Sequence, residues 1–211
     1  AHQTLTPISN LKIYGEILSE TNHENQEEIA TILEQTEKLD FLIQSLVKLS
    51  RMESGIIAVH SEDTTIKQML ESIQQQFNAK VREKNITLSL CDTDLHVRCD
   101  AKWTVEALGN IVDNAIKYTA CGGNVQIKVE QYSFFVKIDI IDDGIGIEKE
   151  EIPKIFGRFY RSLSVADQPG VGIGLFLARE IIQAQKGYIK VTSKRGKGST
   201  FSVFLPIAKK E

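Results

Sequence analysis

From Ile29 the chain repeats its apolar residues at alternating three- and four-residue steps: Ile29, Ile32, Thr36, Leu39, Ile43 and Leu46. That spacing is the seam of a coiled coil or helical bundle, because a helix brings such residues onto one stripe and the stripe must then be covered by another helix. Leu49 prolongs the seam by one three-residue step, Ser50 interrupts it, and Thr36 is its one polar member. Upstream, Leu5, Ile8, Leu11, Gly15 and Leu18 keep a similar spacing, and the stretch from Ser19 to Gln26 between the two runs is polar and rich in Asn and Glu. The two runs read as an antiparallel helical hairpin. A hairpin has no core of its own. Two apolar faces of this width are buried when two hairpins associate into a four-helix bundle, which predicts a homodimer; packing of the hairpin on the rest of its own chain is the alternative.

Ser54-Gly55 ends the second helix, and from Ile56 the pattern changes to mixed elements, so the chain divides into a hairpin over 1–55 and a second domain over 56–211. Ile66, Met69, Leu70, Ile73 and Phe77 mark one helix there; Val105, Leu108, Val112 and Ala115 mark another, with Asp100 as its N-cap. Alternating runs at Ile86-Leu88-Leu90, Val125-Ile127-Val129, Val136-Ile138-Ile140, Ile189-Val191 and Phe201-Val203-Leu205 read as strands of a sheet covered on one face. The predicted fold class is α+β, a helical hairpin followed by a two-layer α/β sandwich of about 150 residues.

On the helix beginning at Ala101, Asn110, Asn114 and Lys117 stand at i, i+4 and i+7 and share one face beside the apolar one. Asparagine is a poor helix former, so two of them one turn apart need a reason beyond solubility. Asp142-Asp-Gly-Ile-Gly-Ile follows a strand, leaving a carboxylate at its end, able to accept from an exocyclic amine, beside two glycines that let a ligand approach backbone. Gly170-Val-Gly-Ile-Gly174 opens a helix running from about Leu175 to Gln185, so free N–H groups and the positive helix end face whatever the loop encloses, and phosphates suit both. Neither the Rossmann G-x-G-x-x-G nor the Walker G-x-x-x-x-G-K-[ST] pattern is present, which calls for a different nucleotide fold.

Other functions are disfavoured by composition. With 25 basic and 28 acidic residues and no basic stripe, nucleic acid is not an expected partner. Three cysteines, Cys91, Cys99 and Cys121, with no C-x-x-C pair fit free thiols in a reducing cytosol better than a disulfide framework or zinc site. No apolar stretch approaches the roughly 20 residues that span a bilayer, and the N-terminal residues lack a signal-peptide pattern, which reads as a soluble chain.

Asn110-Ile-Val-Asp-Asn114-Ala-Ile-Lys-Tyr-Thr resembles the N box of the Bergerat-fold (GHKL) ATPases, and Asp142-Asp-Gly-Ile-Gly-Ile resembles their first glycine box. Ile155-Phe-Gly-Arg-Phe-Tyr-Arg161 is similar to the F box of histidine kinases, Gly170-Val-Gly-Ile-Gly-Leu-Phe-Leu-Ala to their second glycine box, and Gly196-Lys-Gly-Ser-Thr-Phe to the glycine-rich turn before the last strand. Ala1-His2-Gln-Thr-Leu-Thr-Pro-Ile resembles the H box, and Leu49-Ser-Arg-Met-Glu-Ser-Gly55 the exit from the second hairpin helix. The resemblance covers essentially the whole chain, in the order found in bacterial sensor histidine kinases.

That resemblance implies a site. His2 is the phospho-acceptor, with Gln3, Thr6 and Arg161 as further catalytic residues, Arg161 reaching the terminal phosphate. Asn114 ligates Mg²⁺ through its amide oxygen, Asn110 and Lys117 meet phosphate oxygens, Tyr118 lies on the adenine face and Asp142 accepts from the adenine amino group. Gly144, Gly146 and Ile147, then Gly170, Gly172 and Gly174, and Thr200 complete the ATP site, and residues 162–169 form a short lid. The implied reaction is ATP-dependent autophosphorylation of His2, passage of the phosphoryl group to an aspartate of a response-regulator receiver domain, and dephosphorylation of that regulator. A cytoplasmic location is implied, the membrane being reached only through upstream segments.

One residue departs from the family pattern. The position after the phospho-acceptor is usually Glu or Asp, which takes a proton from the imidazole; Gln3 cannot act as a base, although its carbonyl oxygen can orient the ring. Two rivals follow. A hydrolytic GHKL ATPase carries a glutamate where this chain has Asn110, and an asparagine does not activate water. A non-catalytic dimeric adaptor is favoured by Gln3 and opposed by the complete ATP boxes.

Overall fold

The computed structural model describes residues 11, 13–18, 26–53, 59–162, 165, 168 and 171–208. Residues 13–18 are helical (α1) and are followed by α2, Gln26–Glu53, a single helix of 28 residues. Gly15 of α1 lies so close to α2 that a Cβ there would come within 2.6 Å of Leu33 Cδ2, a small residue allowing a tight helix crossing. The seam divides into two rows. Ile29 and Thr36 are buried and Ile43 half-buried, whereas Ile32, Leu39 and Leu46, seven residues apart, are exposed at 53%, 47% and 47%. The polar member Thr36 sits in the buried row because its hydroxyl donates to the Ile32 carbonyl at 2.8 Å within the helix.

After α2 come β1 (Glu62–Thr65), α3 (Ile66–Glu83), β2 (Thr87–Leu90), β3 (His96–Cys99), α4 (Ala101–Tyr118), β4 (Asn124–Gln131), β5 (Phe135–Asp142), α5 (Gly174–Ala184), β6 (Tyr188–Ser193) and β7 (Ser199–Pro206). Five strands form one mixed sheet in the order β2-β4-β5-β7-β6, with β2 parallel to β4 and the other neighbours antiparallel. Helices α3, α4 and α5 cover one face. The five apolar positions that mark α3, Ile66, Met69, Leu70, Ile73 and Phe77, are its buried residues, and they join Leu108, Ile111 and Val112 of α4, Ile181 and Ile182 of α5 and the inward residues of β4, β5 and β7 in one core. Strict alternation along β5 and β7 sends every second side chain into that core. The other face is polar and aromatic: Lys137 pairs with Glu130 at 3.1 Å and Asp139 at 3.0 Å, and Tyr188 stacks on Phe204 at 4.4 Å. The fold is therefore the two-layer sandwich that the alternating pattern predicts.

The structure adds elements that the pattern did not reveal. β1 and β3 pair as an antiparallel two-stranded ribbon outside the main sheet, Glu62 opposite Cys99 and Thr65 opposite His96. The helix after the second glycine box spans Gly174–Ala184, one residue earlier than predicted, and Ile86 packs in the core just before β2 begins. Among the described residues no helix is long and apolar enough to cross a membrane.

Candidate functional site

Helix α4 is fixed at both ends. Asp100 accepts from the Trp103 N–H at 3.2 Å as the N-cap, and Lys84 Nζ donates to the carbonyls of Ile116 at 2.9 Å and Lys117 at 2.6 Å, where the helix end carries partial negative charge. Buried Gln185, just after α5, accepts from the Asp100 N–H at 2.6 Å and the Thr104 hydroxyl at 3.2 Å, joining the two helices. The apolar side of α4 is buried, and its polar side turns Asn110, Asn114, Lys117 and Tyr118 toward a cavity of about 600 Å³. Asn110 Nδ2 donates to the Glu106 carbonyl at 3.0 Å, which holds the amide against the first turn of α5 at Gly174.

The sheet contributes Asp142, the last residue of β5, which is 7% exposed. Its Oδ1 accepts from the Gly144 N–H at 2.9 Å and the Ser199 N–H at 3.2 Å. Burial holds this carboxyl above the ordinary carboxylate range, and the two backbone donors pull the other way. The adjacent Asp143 has a different task. It accepts from the Asn124 backbone at 2.9 Å and the Asn124 side chain at 2.8 Å, bonds that hold it below its usual range and tie β4 to β5. Two glycines make the close packing around Asp142 possible. At Gly146 (φ +66) a Cβ would collide with the Lys194 carbonyl, and at Gly198 (φ +83) with the carbonyl of Asp142 itself.

The cavity is also lined by cations. The Lys117 ammonium is held below the usual lysine range, first by burial and then by the charge of Arg161, so the two cations lie within each other's field. Lys117 Nζ is 4.9 Å from the centre of the Tyr118 ring, whose hydroxyl burial pushes up. Arg161 donates to the carbonyls of Val165 and Gln168 across the loop that follows it. Helix α5 begins with Ile173 as its N-cap and no side-chain cap bond, and the N–H groups of a first helical turn suit an anion. Gly172 and Gly174 line the cavity beside it.

The structure thus brings Asn110, Asn114, Lys117, Tyr118, Asp142, Gly146, Ile147, Arg161, Gly172 and Gly174 around one cavity. A buried carboxylate, cations and a helix N-terminus around one cavity suit a ligand that combines an amine with phosphates. A family model described as histidine kinase-, DNA gyrase B-, and HSP90-like ATPase matches residues 99–209, and a model of the His Kinase A (phospho-acceptor) domain matches residues 1–55. The chain belongs to the sensor histidine kinases. It is 33% identical to the sensor histidine kinase WalK of Bacillus subtilis over 98% of this chain and 35% of that protein. It is 28% identical to the sensor protein kinase PmrB of Pseudomonas aeruginosa over 98% of this chain and 44% of that protein. The chain therefore spans less than half the length of these curated relatives. In structure it is similar to full-length ShkA in complex with AMPPNP (TM-score 0.82, 20% identity, 99% of this chain and 45% of that one). It is also similar to the Acinetobacter baumannii histidine kinase AdeS (TM-score 0.68, 25% identity, 99% of each chain).

Two residues named from the sequence stand differently in the structure. Thr200 does not line the cavity; its neighbours Ser199 and Phe201 do, because side chains alternate along β7 and Thr200 falls on the other face. Gly144 is buried and serves the site by donating its N–H to Asp142 rather than by lining it. His2, Gln3, Thr6 and Gly170 lie outside the described residues. Sequence reasoning missed Ser199, although it adjoins the glycine turn, and Phe41 and Lys48 of α2, which no local pattern connects to the cavity.

Proposed function

We propose that this chain is an ATP-dependent histidine autokinase that phosphorylates His2 and transfers the phosphoryl group to an aspartate of a response-regulator receiver domain. The observation that carries the reading is the buried Asp142 carboxylate facing the same cavity as Asn110, Asn114, Lys117 and Arg161. One carboxylate oxygen is engaged by two backbone N–H groups, and the other accepts from the exocyclic amine of adenine. Guanine presents a carbonyl there, an acceptor against an acceptor, so the site selects adenine. Tyr118 and Ile147 flank the base; Asn110, Lys117, Arg161 and the N–H groups at the start of α5 receive the phosphates. The Asn114 amide oxygen is a hard donor that fits Mg²⁺, and the ion supplies neutralisation of phosphate charge when bound.

Phosphoryl transfer asks little covalent chemistry of the protein beyond the nucleophile. The neutral imidazole nitrogen of His2 attacks the terminal phosphorus, the bond from that phosphorus to the ADP oxygen breaks, and the proton on the other ring nitrogen leaves to solvent. Gln3 orients the ring through its carbonyl oxygen, and water takes the proton that a carboxylate would otherwise accept. Thr6, four residues beyond His2, positions the water that removes phosphate from the regulator. The exposed row Ile32, Leu39 and Leu46 supports a homodimer in which a second hairpin covers it. The reading divides the chain into a phospho-acceptor hairpin, 1–55, and a nucleotide-binding domain, 56–211. The test is to incubate the chain with labelled ATP and Mg²⁺ and then add a receiver domain. Label first on the kinase and then on the receiver supports the reading; a chain that only releases inorganic phosphate is an ATPase instead.

A further inference from the structure

Helix α2 reaches the nucleotide cavity. Phe41 and Lys48, two turns apart, line it together with Glu106, Asn110 and Asn114, and Leu42 packs on the hydrophobic core of the sandwich. Lys48 Nζ lies 2.5 Å from Glu106 Oε1, with the two side chains 37% and 30% exposed. Glu106 stands one turn ahead of Asn110 and receives the Asn110 amide on its own carbonyl at 3.0 Å. One residue therefore holds the phosphate-facing stripe through its backbone and the hairpin helix through its side chain.

We propose that Lys48 is a positioning residue for phosphoryl transfer, docking the sandwich on α2 through Glu106 so that the phosphate-binding side chains of the cavity are held in register with the segment that supplies the phospho-acceptor. The proposal rests on the autokinase reading and assigns to one charge pair a role that the reading leaves open. Apolar contacts such as that of Leu42 are non-directional and tolerate sliding, whereas a charge-assisted hydrogen bond between two side chains fixes where along α2 the sandwich rests. A partly exposed pair contributes little to folding. Its weight falls on alignment, and in transfer reactions a misplacement of about 1 Å costs roughly a hundredfold in rate.

The test compares four versions of the chain: wild type, Lys48→Glu, Glu106→Lys, and the double charge swap. The measurement is phospho-histidine formed per second at saturating ATP, where differences in nucleotide affinity drop out, with thermal unfolding followed in parallel. Each single reversal sets like charges face to face and slows the rate roughly tenfold to a hundredfold. The swap restores it to within about threefold of wild type, and all four unfold at similar temperatures. Singles as fast as or faster than wild type, or a folded swap that stays slow, overturn the proposal. If a reversal unfolds, Lys48→Met is used instead; it slows transfer, and Glu106→Gln added to it slows transfer no further, whereas an additive effect overturns the coupling. A wild type that forms no phospho-histidine overturns the autokinase reading itself, and the positioning role with it.

Discussion

Asp142→Asn separates binding from folding at one atom. The carboxylate Oδ1 accepts from the Gly144 and Ser199 N–H groups at 2.9 and 3.2 Å, and an asparagine can keep both bonds on its single carbonyl oxygen. Its Nδ2 then replaces the oxygen that accepts from the adenine amine, and two donors face each other. Losing a hydrogen bond to a charged group costs about 1.5–3 kcal/mol, which is roughly a tenfold to hundredfold rise in Kd for ATP. Stability moves the other way. Burial raises the folded pKa of Asp142 above its unfolded value, so the native state holds the proton more tightly. Wild-type stability is then lost as pH rises through the folded pKa, and at pH 7 the cost of keeping this charge buried is fully present. Asparagine carries no such cost, so Asp142→Asn unfolds no lower than wild type at pH 7, and its advantage shrinks toward the ordinary carboxylate range near about pH 4. Titration calorimetry with a non-hydrolysable ATP analogue and scanning calorimetry at the two pH values give both quantities. Unchanged affinity in a folded variant would refute the adenine assignment, and a variant less stable at pH 7 would refute the electrostatic one.

Three further outcomes follow from the geometry. Asn114→Ala removes the amide oxygen proposed for Mg²⁺, so phospho-histidine formation at saturating ATP falls at least roughly a hundredfold while metal-free nucleotide affinity changes little, as paired calorimetry with and without Mg²⁺ shows. Leu39→Glu with Leu46→Glu sets two charges against the face proposed as the dimer interface, and light scattering then reports a monomer under conditions where wild type is a dimer; two exposed positions at 47% that tolerate charge in a dimer place the interface elsewhere. Gly146→Ala forces a left-handed conformation (φ +66) on an L residue and drives a Cβ into the Lys194 carbonyl, which lowers stability by about 1–2 kcal/mol or more in denaturant unfolding.

Where side-chain period and burial coincide, the fold was legible. The apolar positions of α3 are its buried residues, Asp100 caps α4, and five alternating runs became the five strands of the main sheet. Of the β1–β3 ribbon, β1 was not legible because Glu62-Asp-Thr-Thr65 carries no apolar residue, whereas β3 does alternate, with Val97 and Cys99 buried beside exposed His96 and Arg98, but over four residues only, and the pairing of the two is set by tertiary contact. Thr200 shows the same limit at the scale of one residue. A glycine turn marks where β7 begins, but which of Ser199 and Thr200 turns toward the cavity depends on register against β5, where Ser199 stands opposite Asp142. The α2 seam gave the stripe and its length, whereas its division into a buried row and an exposed row, and the approach of Lys48 to Glu106, depend on what packs against each side.

In the proposed reaction a nucleotide held at Asp142 and Lys117 delivers its phosphoryl group to His2. The most direct measurement is mass spectrometry of peptides from the chain after incubation with ATP and Mg²⁺, under alkaline conditions that preserve phosphoramidates. One phosphoryl group is expected, located on His2, absent from His2→Gln and from Asp142→Asn at limiting ATP. A phosphoryl group on a serine, threonine or another histidine, or an ATP-binding chain that acquires none, would contradict it.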